Sequence, residues 1–288
     1  MQKINTQVVM SGADYFDDGF AINSYMDDGA PVDVPKAMRE HAQIMKAFKQ
    51  AGIEVVKADV PKDCQDGVYT ANWALTRGKM AVMANLPPSR MPELKYAEQE
   101  LRQLGFEIIK LPEQYRFSGQ GDALPCGNKL FTGTDYRTSP EVHELLHEKL
   151  GYEVISLQTV PEYSIDKQPV TNAVTGWPDS FFYDIDLAIA VLSPNLIAWC
   201  PEAFMPESQE IIHALADIDK IEVSLEEAMQ ASACNLVSTG ETVVMGDQAP
   251  ELKQAIEAKD LKVITVDVTE LLKGGGFIRC TSLTLNNL

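Results

Sequence analysis

Three consecutive glycines, Gly274 to Gly276, lead through Phe277-Ile278-Arg279 straight into Cys280, and an apolar, hydroxyl-rich stretch from Thr281 to Leu285 follows. Glycine tolerates positive φ and lets the backbone approach a ligand closely, so a cysteine just beyond such a turn can be presented to a small molecule. A thiolate attacks electrophilic carbon, which makes Cys280 the first candidate nucleophile. The commoner use of a lone cysteine, as a small buried hydrophobe, competes with that reading.

Three further polar clusters fall at the ends of expected strands, where loops carry function: Asp63 to Asn72, Phe117 to Leu124 and Tyr183 to Asp186. Taken singly each reads as an acidic turn, and Gly-Asp is ordinary turn chemistry. Asp184 and Asp186 directly precede an apolar run, so strand alternation predicts both carboxylates on one face with Ile185 opposite. Like charges held together require a cation or a proton in compensation. Arg90 and Arg137 stand where loops leave strands and can clamp a carboxylate through paired hydrogen bonds, or can simply pair with neighbours such as Glu93 or Asp135. His143-Glu144-Leu145-Leu146-His147 satisfies a zinc-binding spacing on an expected helix. A third ligand is needed, and beyond His213 no pattern marks one, so no metal is assigned.

The elements that must position these residues alternate along the chain. Helical periodicity over Val34 to Ala51, with Met38, Ile44, Met45 and Phe48 on one face, precedes a β run at Ile53 to Val56. The same order returns at Met91 to Leu104 before Phe106 to Ile109, and at Ser139 to Leu150 before Tyr152 to Ser156, with Gly105 and Gly151 as stops. Two more copies read at Glu207 to Leu215 before Ile221 to Val223, and at Pro250 to Ala258 before Leu261 to Val266. Strands at Met80 to Met83, Leu187 to Leu192, Leu196 to Trp199 and Thr242 to Met245 lie between. About five repeats of a strand pair, helix and strand indicate a quasi-symmetric α/β assembly. A doubly wound parallel sheet also alternates strands and helices, but Gly119-Gln120-Gly121 leads into a strand and opens no helix, which argues against a dinucleotide site. No linker-like segment divides residues 1–288, so one domain is expected.

The 288 residues are 45% hydrophobic and 23% charged, a globular balance. A formal charge of -18 disfavours nucleic acid and anionic membrane as partners, leaving a neutral or cationic small molecule. The stretch Met1 to Thr6 has no apolar core ahead of a cleavage site, no run is long enough to span a membrane, and a cytoplasmic location is expected. Five scattered cysteines, Cys64, Cys126, Cys200, Cys234 and Cys280, indicate neither a disulfide framework nor a cysteine zinc site. No cofactor motif appears, and a homodimer would be unsurprising.

The ordered set Asp66…Asn72, Arg90-x-x-Glu93, Phe117-x-Gly-x-Gly-Asp122, Arg137, Tyr183-x-x-Asp186 and Gly-Gly-Gly-Phe-Ile-Arg-Cys280 resembles the guanidino-group-modifying enzymes. These are the arginine deiminases, dimethylarginine dimethylaminohydrolases and amidinotransferases. The resemblance covers nearly the whole chain and implies an α/β fold of the pentein type, a five-bladed ββαβ propeller with pseudo-fivefold symmetry. It further implies that Cys280 attacks a guanidinium carbon to give a covalent thiouronium, that Asp66 and Asp186 grip guanidinium N–H groups, and that Arg90 and Arg137 hold the substrate carboxylate. Asn72, Ser118 and Asp122 complete the implied substrate side, with a structural role for Asp122 equally open.

The pattern breaks twice. The family's histidine two residues before the Asp186 position is Asp184 here, and a family glutamate is Ser118. Asp184 is then the candidate proton carrier, which requires its pKa to rise well above the ordinary 3.9 or so. Three readings stand: hydrolysis or amidino transfer on an arginine-like guanidino compound, thiol chemistry on a different amino acid whose amine meets Asp184, or a catalytically silent homologue that binds an amino-acid-like ligand.

Overall fold

The computed structural model describes residues 2–17, 19–23, 26 and 31–287. Its strands form five sheets of three, which excludes the single doubly wound sheet. The first blade opens with β1 (Gln7–Met10), α1 (Val34–Gln50) and β2 (Glu54–Lys57), the two strands parallel. In the second, β3 (Ala74–Arg77) runs antiparallel to β4 (Met80–Met83), and α2 (Leu94–Gln103) crosses over to β5 (Glu107–Ile109), parallel to β4. The third repeats this order with β6 (Ala123–Cys126), β7 (Lys129–Gly133), α3 (Glu141–Leu150) and β8 (Glu153–Leu157).

The fourth comprises β9 (Ile189–Ser193), β10 (Leu196–Trp199), α4 (Pro206–Ala214) and β11 (Asp219–Glu222). After an extra helix, α5 (Leu225–Gln230), the fifth has β12 (Val237–Ser238), β13 (Thr242–Gly246), α6 (Pro250–Glu257) and β14 (Lys262–Val266). The first blade receives its missing strand from the far end of the chain: β15 (Leu283–Thr284) pairs antiparallel with β1, Val8 opposite Thr284 and Val9 opposite Leu283. The first strands of the blades face the ring axis, β6 packing on β9, β9 on β12 and β15 on β3.

The expected elements fall within a few residues of the observed ones, with two corrections. On α1 the buried stripe is Ala37, Glu40, His41, Ile44, Ala47 and Phe48, while Met38 is 43% exposed. Two polar residues thus occupy the apolar face. Glu40 has a reason to be there, since its carboxylate accepts from the backbone N–H groups of Thr269, Glu270 and Leu271 ahead of the glycine turn. Second, the strand expected from Leu187 begins only at Ile189. Asp122 accepts from the Ile185 N–H at 2.9 Å, and Ile185 to Leu187 form a single 3-10 turn, so simple alternation does not apply at Asp184 and Asp186. Among the described residues, no helix is long and apolar enough to cross a membrane.

Candidate active site

Each axial strand is preceded by a short polar turn, and the five turns supply the site. Asn72 lies in the 3-10 turn Thr70 to Trp73 ahead of β3, and Ser118 and Asp122 flank the turn Gly119 to Gly121 ahead of β6. Asp184 and Asp186 bracket the start of the turn ahead of β9, Asn235 sits two residues before β12, and Cys280 three before β15. The turns before β3, β6 and β9 pack on one another in that order, and β15 packs on the first of them. At Gly121 a Cβ would come within 2.3 Å of Asn72 Nδ2 and 2.6 Å of Asp184 Oδ2, so only glycine permits this approach. Gly275, at φ +80°, makes the reversal that delivers Cys280.

Cys280 is 3% exposed, and its sulfur lies 3.4 Å from Asp186 Oδ2 and 3.2 Å from the Asn235 amide nitrogen. The Asn235 carbonyl oxygen accepts from the backbone N–H groups of Arg279 and Cys280 at 2.9 and 3.2 Å, so one side chain fixes both the thiol and its backbone. Asp184 Oδ2 accepts from Asn72 Nδ2 at 2.7 Å and from Ser118 Oγ at 3.0 Å. Asp122 is held by Thr138 Oγ1 at 2.6 Å and by the Ile185 N–H, a role that positions the Asp184 turn. Asp66, Asp184 and Asp186 are fully buried, and each keeps one oxygen, Oδ1, without a hydrogen-bond partner. Buried carboxylate oxygens are costly to leave unpaired, so three of them in one region form an acceptor set suited to a cation with several N–H groups.

Burial raises the pKa values of all these acids. Asp66 is pushed up to about 7 by desolvation, against the pull of Arg90. Desolvation likewise raises Asp184, opposed by Arg137 and the hydrogen bonds from Ser118 and Asn72. Asp186 and Asp122 rise further, first by burial and then by the charge of Asp184. The Cys280 thiol is pushed well up by burial and by Asp186, with Asn235 pulling the other way. In the ligand-free chain the sulfur therefore holds its proton, and a bound cation would reverse the balance by lowering the cost of every negative charge around it.

The two arginines differ. Arg90 donates to both Glu93 oxygens at 2.8 and 3.0 Å, to Asn72 Oδ1 at 3.0 Å and to the backbone oxygens of Asp66 and Tyr69. Of the two sequence alternatives for Arg90, pairing with Glu93 is thus realised. Arg137 stacks on Tyr183 and Trp177, with its guanidinium carbon 4.6 and 5.9 Å from the ring centroids, and among the described residues its one hydrogen bond goes to the Ile22 carbonyl. The His143 and His147 rings each bind a backbone carbonyl, of Gly133 and Tyr152, and the described residues contain no group of three or more metal-ligating side chains. Asn235 was not singled out by its sequence context, although its place before an axial strand matches that of the other four turns.

A ring of five ββαβ blades with its polar turns gathered at one end of the axis is a pentein fold. A family model described as "N,N dimethylarginine dimethylhydrolase, eukaryotic" matches residues 21–286. A dimethylarginine dimethylaminohydrolase of Mycobacterium tuberculosis is 30% identical over 273 residues, spanning 94% of this chain and 83% of its own. The bifunctional arginine dihydrolase/ornithine cyclodeaminase ArgZ of Synechocystis is 26% identical over 96% of this chain, which spans only 37% of that longer protein. A crystal structure of the N-terminal domain of ArgZ, as a variant covalently bound to a reaction intermediate, superposes with a TM-score of 0.87 at 25% identity, covering 98% of both chains. The chain therefore belongs to the dimethylarginine dimethylaminohydrolase family of guanidino-group hydrolases.

Proposed function

We propose that this protein is a cysteine-dependent hydrolase acting on the guanidino group of an arginine-like small molecule. The observation that carries the reading is the thiol of Cys280 set beside Asp186 in a region where three buried carboxylates each hold an unpartnered oxygen. A guanidinium offers flat, divergent N–H groups to such acceptors, and its charge favours the thiolate as it binds. Asp66 and Asp186 grip the guanidinium, Arg137 holds the substrate's carboxylate, and Arg90 orders Asn72 and the Asp66 turn. The thiol passes its proton to Asp184 as sulfur adds to the guanidinium carbon. Asp184, whose proton affinity burial raises, gives that proton to the departing nitrogen as the C–N bond breaks, leaving a thiouronium. Asp184 then takes a proton from water, whose oxygen bonds to the carbon. As the C–S bond breaks Asp184 returns its proton to the sulfur, the added hydroxyl loses its proton to solvent, and a ureido product leaves. The exchange of glutamate for Ser118 and of histidine for Asp184 moves a carboxylate across the site, the two side chains now sharing a hydrogen bond. All five cysteines are unpaired, which suits a reducing compartment such as the cytoplasm.

The test is a panel of arginine, methylated arginines, agmatine and guanidino acids, followed by ammonia, amine and ureido product, with Cys280→Ser as control. Turnover lost in the variant, and haloacetamidine labelling of Cys280 above the other cysteines, are expected. Binding without turnover would favour a silent homologue, a reading to which the missing histidine lends weight. Neither binding nor selective labelling would end the hydrolase reading.

A further inference from the structure

A histidine carries its mobile proton on one ring nitrogen, chosen by the hydrogen bond that the other nitrogen makes, whereas a carboxyl group has two like oxygens. An aspartate standing where the guanidino-modifying enzymes place a histidine therefore needs something to choose between them. The hydrogen bonds around Asp184 make that choice, and their directions can be followed from a group that only donates. Glu93 holds Arg90 through both oxygens, and Trp73 Nε1 donates to the same carboxylate at 3.2 Å. Arg90 gives an N–H to Asn72 Oδ1 at 3.0 Å, so the nitrogen end of that amide faces the other way. It donates toward the Ser118 carbonyl at 3.0 Å, Ser118 Oγ at 2.9 Å and Asp184 Oδ2 at 2.7 Å. An amide nitrogen accepts nothing, so among the described residues the Ser118 hydroxyl has one acceptor, Asp184 Oδ2 at 3.0 Å. The bare Cα of Gly121 covers the same edge, since a Cβ there would stand 2.6 Å from Oδ2.

We propose that the mobile proton of Asp184 resides on Oδ1, and that Ser118 is the positioning residue that, together with Asn72, keeps it there. The inference rests on the hydrolase reading and deepens it. Oδ2 already receives an N–H and an O–H. A proton placed on Oδ2 would meet the Ser118 hydroxyl hydrogen head-on and turn that hydroxyl from its one acceptor, leaving a buried donor unpaired. Oδ1 has no hydrogen-bond partner among the described residues and meets no such conflict. One oxygen then serves all four transfers. It receives the thiol proton as sulfur adds, gives it to nitrogen as the C–N bond breaks, takes one from water as the C–O bond forms, and returns it to sulfur as the C–S bond breaks. Whenever Asp184 is ionised, the two donors on Oδ2 are already in place, so neither the carboxylate nor its partners need to reorient between steps. The two departures from the family pattern thus act as one device, in which the serine lets an aspartate stand in for the histidine.

Infrared spectroscopy reads the position of the proton without a substrate. The C=O stretch of the protonated Asp184 carboxyl is recorded in the folded protein as pH is lowered, and is assigned with isotope-labelled aspartate and by its loss in Asp184→Asn. With the proton on Oδ1 the carbonyl oxygen is Oδ2, which accepts two hydrogen bonds, so a low-frequency band is expected. Ser118→Ala should move it to higher frequency, and Ser118→Thr, which keeps the hydroxyl, should restore it. Ser118→Cys, a weaker donor, should fall between them and serves if the alanine variant does not fold. With a guanidino compound that turns over, kcat should fall about tenfold in Ser118→Ala at little cost in KM, and recover in Ser118→Thr. A wild-type band at the frequency of an unbonded carbonyl, a band that neither the alanine nor the cysteine variant moves, or an unchanged kcat in folded Ser118→Ala would overturn the assignment. The band is read in the ligand-free chain, so the expected shifts without turnover of any compound in the panel would sink the hydrolase reading alone.

Discussion

At the residue scale the site depends on Asn235 as much as on the thiol it holds. Its amide donates to the sulfur, and its carbonyl satisfies two buried N–H groups. Asn235→Ala should shift the pH profile of Cys280 alkylation upward, because a group that lowers the thiol pKa is lost, and should cost roughly 1–3 kcal/mol of stability for the N–H groups left unpaired. Titrating labelling rate against pH, beside a denaturant melt, checks both. Asp184→Asn keeps an acceptor for Asn72 and Ser118 yet cannot carry a proton. Turnover should fall by about 10²–10⁴ with haloacetamidine labelling retained, a split that a merely structural role would not produce. Cys280, the carboxylates and Arg137 were legible because glycine turns and acidic pairs before apolar runs are local patterns. Asn235 lies between Cys234 and Leu236 in an unremarkable stretch, and its function exists only through the register of the fifth blade.

The helices and strands show how distant segments set that register. The glycine turn carrying Cys280 is held from outside by α1, whose Glu40 binds three consecutive backbone N–H groups at residues 269–271. Glu40→Ala leaves those donors without a charged acceptor and should destabilise the protein by roughly 3 kcal/mol. Slower labelling of Cys280 in a variant that is still folded would show the effect reaching the site, and an unchanged melting temperature would sink the idea. Helices and strands were readable because periodicity and glycine stops are repeated five times. The polar members of the buried α1 stripe, and the 3-10 turn where a strand start was expected, were not. Both are imposed by partners more than 60 residues away, Glu270 and Asp122, which no local window contains.

For the molecule as a whole, two buried groups set opposing pH responses. His41 is buried without a partner on Nε2, and desolvation lowers its pKa to about 4. The unfolded chain binds that proton more readily, so stability is complete above about pH 6.5 and is lost as pH falls toward 4, by about 3 kcal/mol. Asp66 acts in the other direction. Its folded pKa near 7 lies above the unfolded value, so the folded state loses stability as pH rises from 4 through 7. His41→Leu should therefore be less acid-sensitive than wild type between pH 6.5 and 4, and Asp66→Asn should flatten the loss on the alkaline side. Melting temperatures across that range separate the two. On the hydrolase reading a guanidino ligand needs Asp66 ionised, so its affinity should climb as pH rises through 7 in wild type and not in Asp66→Asn, which calorimetry measures.

The ring is closed by β15 on β1, and the nucleophile stands three residues before that closing strand. During synthesis, a polypeptide whose first four blades have emerged already carries every acid of the site and has no Cys280 to place among them. The thiol thus arrives almost last, and a chain ending before Cys280 would leave a haloacetamidine nothing to alkylate at this position.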